Sequence, residues 1–133
     1  MNRWVAIVVA VLASGSCLIA GLQEIFLWDR FGPRILELTD DAVISAFLAD
    51  EHIRLLAWNQ GIYNVCLAAL LIWPVFISEP QWRRKVAVAG LLFLFVVGVF
   101  GGITIGSLLP WIGQAGVALV GLALVFGFGR KPA

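Results

Sequence analysis

Charged residues are scarce in this sequence of 133 residues. Asp, Glu, Lys and Arg together make up 13% of the chain, whereas hydrophobic residues make up 62% and the mean hydropathy is +1.00. An ordinary soluble domain carries about 25% charged residues. This shortage excludes an ordinary soluble domain and is typical of a polytopic membrane protein. The net charge of +1 provides no basic surface that would attract nucleic acid, and the length predicts a single domain over residues 1–133.

Residue types that often carry catalysis or bind metals are also few. The two cysteines, Cys17 and Cys66, lie in apolar runs without a CxxC pair, so we expect two small buried hydrophobic residues, with an interhelix disulfide or a metal site as the alternative. His52 is the single histidine, and its expected role is a solvated helix end, with a pH-sensitive gate or a metal ligand as alternatives. The sequence contains no nucleophile–histidine–acid set, no phosphate-binding loop and no HExxH motif. It therefore predicts no metal site and leaves catalytic residues and cofactors unknown.

Four apolar segments are long enough to cross a bilayer as helices, which takes about 20 residues each. The predicted spans cover roughly residues 4–28, 53–76, 86–105 and 108–128. The first segment could pass for a signal peptide, but it lacks a cleavage site and stays apolar as far as Trp28, so we interpret it as a retained span. Pro110 falls in the first turn of the fourth span, where its missing N–H is tolerated.

The connection between the first two spans is the one long polar segment. Phe31-Gly32-Pro33 indicates a turn, and Thr39-Asp40-Asp41 offers side chains that cap a helix N-terminus. Val43, Ile44, Phe47 and Leu48 follow at the spacing of one helix face. The predicted fold is therefore an all-α membrane protein, a four-helix transmembrane bundle with a short amphipathic external helix between spans one and two.

Cationic residues are distributed unevenly between the two sides of this bundle. Six of the nine lie at the amino terminus, in a polar turn over residues 77–85, or in the carboxyl tail: Arg3, Arg83, Arg84, Lys85, Arg130 and Lys131. Short loops rich in Lys and Arg stay in the cytoplasm. This bias predicts that both termini are cytoplasmic.

A cluster of polar side chains interrupts the second span at Ala57-Trp58-Asn59-Gln60-Gly61-Ile62-Tyr63-Asn64. Amides are costly in hydrocarbon unless they are paired, and residues four apart share a helix face. We therefore expect two adjacent rows of polar side chains that point into the bundle. Glu24, the single carboxylate within any span, and Gln114 lie at a similar depth. The candidate ligand-binding residues are Glu24, Asn59, Gln60, Tyr63, Asn64 and Gln114; hydrogen-bonded packing between helices is the alternative.

Glycines recur every fourth residue along the third span, at Gly98, Gly102 and Gly106. Such a ridge of small residues lets another helix backbone approach closely. We expect it to pack within the bundle, with a dimer interface as the alternative.

Several motifs resemble one family. Asn59-Gln60-Gly61-Ile62-Tyr63-Asn64, with Leu67-Ala68-Ala69 after it, resembles the NQGxYNxxLA stretch of a small family of bacterial membrane proteins, domain-of-unknown-function family 1304. Glu24-Ile25-Phe26-Leu27-Trp28 is similar to its E-M-F-x-W motif, Gly98 to Thr104 to its G-x-Y/F-G-x-x-T motif, and Leu109-Pro110 to the start of its fourth span. The resemblance implies a multi-pass protein of the bacterial inner membrane, but no activity.

One position departs from this resemblance. Members of the family often carry a histidine about two turns before the glutamate, where this chain has Ser16 and Cys17. A Glu–His pair in span one is therefore not expected here.

Three functions fit the sequence, and the shape of the polar cluster would separate them. A protein that binds or moves a small polar or amphiphilic ligand would have a cavity open to the outer side. A membrane enzyme acting on a lipophilic substrate, with Glu24 as acid or base and Tyr63 assisting, would have a cavity open to the lipid. An accessory subunit, or a homo-oligomer, would have a dry, packed cluster and a helix face for its partner.

Overall fold

The chain is an all-α bundle in which four helices are long and apolar enough to cross a membrane. The computed structural model describes residues 1–128; the predicted basic tail over 129–133 lies outside them. The helices are α1 (Arg3–Phe26), α2 (Trp28–Ile35), α3 (Asp41–Ala49), α4 (Glu51–Ile72, extended by a 3₁₀ turn at Trp73–Phe76), α5 (Pro80–Ile105) and α6 (Leu108–Gly127). The four-span bundle is thus confirmed, and the chain is a multi-pass membrane protein.

The turn between α4 and α5 is shorter than expected. Glu79 caps α5 by accepting a hydrogen bond from the backbone N–H of Gln81, and Pro80 occupies the first helical position. Proline is favoured there because its missing N–H would be unpaired in any case. The helix therefore begins six residues before the predicted start of span three, and only residues 77–79 remain outside helices.

The long connection forms two short helices instead of a turn and one helix. The turn expected at Phe31-Gly32-Pro33 is wrong, because these residues lie inside α2. The chain turns later, before α3, where Glu37 takes a φ of 53°. Asp40 then caps α3 as expected, accepting hydrogen bonds from the backbone N–H groups of Ala42 and Val43. No side chain of α3 is buried, so this helix lies on the surface of the bundle.

Small residues bring α1 and α4 close together. A Cβ placed on Gly61 would lie 2.8 Å from the carbonyl oxygen of Gly21, and one on Gly21 would lie 2.7 Å from the carbonyl oxygen of Gly61. The two backbones therefore touch at these glycines, as is common between membrane helices. Cys17, on the same face of α1, is fully buried as expected, but Cys66 is exposed on the far face of α4, so that expectation is wrong for Cys66.

The predicted glycine ridge of α5 has two different roles. Gly98 and Gly102 lie against α6, where a Cβ would overlap the Ala115 backbone and the Trp111 indole respectively. Gly106 differs from the prediction of helix packing. It ends α5 with a φ of 72°, in the left-handed region that favours glycine, and has no neighbour within 4 Å of an added Cβ.

The two ends of the bundle differ in construction. At one end, which we call the Arg83 end, the buried Arg83 guanidinium donates hydrogen bonds to the carbonyl oxygens of Met1, Ile77 and Ser78. The apolar core fills the half of the bundle next to this end and includes Val9, Ala13, Cys17, Leu91, Leu94 and Val125. At the other end, which we call the connection end, α2 and α3 pack through the Trp28 and Phe47 rings, whose centroids are 5.8 Å apart.

Candidate functional site

A cavity of about 910 Å³ lies in the half of the bundle next to the connection end. All four spans and α2 contribute to its wall. Ligand pockets in proteins commonly measure about 300 to 1,000 Å³, so this space is large enough for a small molecule. The polar cluster at this depth therefore borders an open space and is not packed against protein on every side.

A chain of hydrogen bonds through three spans forms the polar wall of the cavity. The side-chain nitrogen of Asn64 donates to Oε2 of Glu24 at 2.7 Å, and the side-chain nitrogen of Gln114 donates to Oδ1 of Asn64 at 3.1 Å. Asn64 is 4% exposed, so these bonds satisfy an amide that would otherwise be costly to bury. We call Glu24, Asn64 and Gln114 the polar triad.

Glycines bring the three side chains of the triad within reach of one another. The contact of Gly21 with Gly61 fixes α1 against α4. An added Cβ on Gly21 would lie 3.2 Å from the β-carbon of Asn64, and one on Gly61 would lie 3.2 Å from the β-carbon of Glu24, so both side chains lie beside the crossing. On the other side, Gly98 of α5 leaves room for the β-carbon of Gln114, since an added Cβ there would lie 2.9 Å from it. Close backbone packing thus brings polar side chains from α1, α4 and α6 into contact.

A local widening of α6 carries Gln114. Residues Trp111–Gly116 form a π-helical turn within this otherwise α-helical span. Such turns are rare and occur frequently at functional sites. The widened turn lies directly over the cavity, where Ile112, Gly113 and Gln114 all line the wall.

The sequence candidates of α4 are divided between two faces of the helix. Gln60 lines the cavity beside Asn64. Asn59 and Tyr63 do not line it; both are exposed, Tyr63 to 60%, on the outer surface of the bundle. The expectation that both rows point inward is therefore wrong for Asn59 and Tyr63, because α4 packs on α1 through a single narrow face.

Most of the remaining wall is apolar and part of it reaches the outside. Ile19 of α1, Val96 and Phe100 of α5 and Ile112 of α6 line the cavity, and each is at least 60% exposed. These residues lie within the spans, so the cavity is continuous with the lateral surface of the bundle. In a bilayer that surface meets hydrocarbon.

Some lining residues escaped prediction from the sequence. Gln23 and Ser16 of α1 line the cavity, and so do Phe31 and Ile35 of α2. Gln23 is an amide next to Glu24 in an apolar span, and this feature of the sequence would have predicted that it lines the site. The α2 residues carry no such signal, because the sequence indicated a turn there.

The other candidates for chemistry lie apart from this cavity. His52 is exposed in the first turn of α4, where its backbone N–H donates to the Asp50 side chain. Both cysteines are free. Within residues 1–128, no group of three or more His, Cys, Asp or Glu side chains is arranged to hold a metal ion.

Comparison with known proteins leads to one family. No curated protein and no solved structure matches the chain. A family model described as protein of unknown function (DUF1304) matches residues 8–126, which include most or all of each span, the polar triad and the glycines that position it. The chain therefore belongs to the DUF1304 family of proteins of unknown function.

Proposed function

We propose that this protein binds or moves a small amphiphilic molecule, which is held in the cavity. The polar triad and Gln60 would hold the head group, and the apolar side chains of α5 and α6 would surround its hydrocarbon part. The observation that carries this proposal is the composition of the wall, in which a few polar side chains interrupt a mostly apolar surface. A few placed polar groups in an apolar pocket are the usual form of a small-molecule site.

The lateral opening supports an amphiphile over a freely soluble polar ligand. Ile19, Phe100 and Ile112 expose apolar surface where the cavity meets the outside. A hydrocarbon chain can remain in contact with these side chains, or with lipid, while its head group contacts Glu24. A polar solute without such a chain would gain little from this wall.

Filling the cavity tests the proposal. Gly113 lines it and has open space around an added Cβ, so Gly113→Phe should occupy part of the volume without a clash at the backbone. The purified protein would be titrated with 1-decanol in a neutral detergent, and binding would be measured by calorimetry. The wild-type protein should show saturable binding. Gly113→Phe should weaken it by about tenfold, a loss of about 1.4 kcal/mol.

The control is a glycine outside the cavity wall. Gly15 also has no neighbour within 4 Å of an added Cβ, and it does not line the cavity. Gly15→Phe should leave decanol binding unchanged within about twofold. Absence of saturable binding to the wild-type protein, or equal loss in both variants, would overturn the proposal.

An enzyme acting on a lipophilic substrate is the second candidate, favoured by the lateral opening and by the half-buried Glu24 in the wall. Glu24 would act as acid or base, but Tyr63 would not assist from the outer surface. Wild-type protein and Glu24→Gln would be incubated with a membrane lipid extract and the extract compared by mass spectrometry. A species consumed by the wild type alone would support catalysis; identical extracts would argue against it.

We further propose that both termini face the cytoplasm of a bacterial inner membrane. Met1 and Arg83 meet at the same end of the bundle, and Arg84 of that end stacks on Phe126 near the end of α6. The cationic residues Arg3, Arg84 and Lys85 therefore share one end. The positive-inside tendency favours the cytoplasm for this end.

A further inference from the structure

We infer that the cavity selects amphiphiles with a cationic head group and that the Glu24 carboxylate is their partner. This inference rests on the proposed function, because it names the chemical class of the ligand that the cavity would bind. It depends on which hydrogen bonds and charges of the cavity wall remain without a partner.

The hydrogen bonds of Glu24 leave one of its carboxylate oxygens free within residues 1–128. Oε2 accepts one hydrogen bond from Asn64, and within residues 1–128 Oε1 accepts none. A carboxylate can accept about four hydrogen bonds in total. Glu24 is half-buried and lines the cavity, so its free oxygen is available to a molecule there.

The side-chain donors of the described wall are all neutral, and its two hydroxyl groups are already used. The Ser16 hydroxyl donates to the carbonyl oxygen of Ala13 at 2.9 Å, and the Thr104 hydroxyl donates to that of Phe100 at 2.9 Å. Both hydroxyl hydrogens are thus used within their own helices. The remaining side-chain donors of the described wall are the neutral amides of Gln23, Gln60, Asn64 and Gln114, so a cationic donor would add a kind of group that the wall lacks.

The charge of the cavity wall also favours a cationic ligand. Among the described residues that line the cavity there is no Lys, Arg or His, and Glu24 is the single acidic one. An ionised carboxylate in an apolar region is unfavourable unless a cation pairs with it. A ligand with an ammonium group would supply the missing positive charge together with N–H donors. An anionic head group would be repelled, and a hydroxyl would supply the donor alone.

Three probes with ten carbon atoms each test this order of preference. Binding of decylammonium, 1-decanol and decanoate would be measured by calorimetry in a neutral detergent at about pH 7, where an alkylamine is protonated and a carboxylate ionised. Decylammonium should bind roughly tenfold more tightly than decanol, and decanoate more weakly than either. This comparison uses the wild-type protein and needs no variant.

Two substitutions assign the preference to the cavity. Glu24→Gln should weaken decylammonium binding by about tenfold and change decanol binding by less than about threefold. Glu51→Gln removes an exposed carboxylate from the first turn of α4, outside the cavity, and should leave the preference intact. Equal loss in both variants would mean that general surface charge attracts the amine, and would overturn the inference.

The remaining outcomes separate this inference from the proposed function. If decanol binds as tightly as decylammonium, or if the preference persists in Glu24→Gln, the cationic class is wrong while a binding cavity stands. If none of the three probes binds, both the inference and the proposed function fail.

Discussion

Asn59 and Asn64 carry the same side chain on the same helix and have opposite surroundings. Asn64 is buried and bonded to Glu24 and Gln114, whereas Asn59 is exposed and its side chain makes no hydrogen bond within residues 1–128. Five positions along an α-helix correspond to about 500°, which places the two side chains some 140° apart around the axis. The pair therefore offers a matched comparison of an amide inside and outside the polar triad.

We predict that Asn64→Leu destabilises the protein and Asn59→Leu does not. Removing the Asn64 amide leaves Glu24 and Gln114 without their partner, at a cost of about 1–3 kcal/mol. Asn59→Leu removes no such bond and should change the stability by less than about 0.5 kcal/mol. Thermal unfolding of both purified variants in the same detergent measures the difference. Equal melting temperatures would contradict the hydrogen-bonded triad.

The sequence contained a signal that separates these two residues. The buried positions of α4 include Ala57, Gly61, Asn64, Ala68 and Leu71, spaced by three or four and mostly small. Small residues at this spacing mark the face on which membrane helices pack. Asn64 and Gly61 belong to that face and Asn59 does not, so spacing measured from the small residues would have placed Asn59 and Tyr63 outside.

At the level of helices, the contact between α1 and α4 determines where the triad lies. The two backbones meet at Gly21 and Gly61, one turn from Glu24 and Asn64. Any side chain at this crossing would force the helices apart. The geometry of the site therefore depends on two residues that have no side chain of their own.

We predict opposite effects for two glycine-to-alanine substitutions. A Cβ on Gly61 would lie 2.8 Å from a backbone oxygen of α1, so Gly61→Ala should destabilise the bundle by about 1–3 kcal/mol. Gly15 lies within α1 with open space around its Cα, so Gly15→Ala should stabilise it by roughly 0.5–1 kcal/mol. If the melting temperatures of the two variants change in the same direction, the close contact between Gly21 and Gly61 would be contradicted.

Helix boundaries were predicted less well than helix identities. Hydrophobic length identified all four spans, because a bilayer demands about 20 apolar residues from each. It could not show that α5 begins at Pro80, because the first turn of that helix is polar and lies beyond the apolar run. Nor could it show that Pro33 lies within α2, since proline near the end of a short helix and proline in a turn have similar neighbours.

The whole molecule is divided into a packed half and a hollow half. Apolar side chains fill the half next to the Arg83 end, and the cavity occupies the half next to the connection end. Fold class follows from composition, because a chain this apolar with four long segments has few alternatives. The cavity cannot be predicted from composition, because its volume depends on the distance between the helices. No local sequence pattern indicates that distance.

We predict that the two ends of the bundle are accessible from opposite sides of the membrane. Ser78→Cys lies in the short turn at the Arg83 end and Asp41→Cys in the first turn of α3, and both positions are exposed. With Cys66 replaced by serine, a membrane-impermeant thiol reagent added to intact cells should label Asp41→Cys alone. Ser78→Cys should react only after the membrane is opened. The reverse pattern would contradict cytoplasmic termini.

The π-helical turn of α6 has a consequence for the comparison of sequences within the family. A turn of this kind contains one residue more than a regular α-helical turn, so it corresponds to a single-residue insertion between Trp111 and Gly116. A relative without that residue would have a regular helix. Compared with this chain, the residues after the segment would then be rotated by about 100° around the helix axis relative to the residues before it. An ungapped alignment would then equate Gln114 with a residue that points elsewhere. Family members should therefore be aligned with a gap allowed at this turn before the triad is judged present or absent.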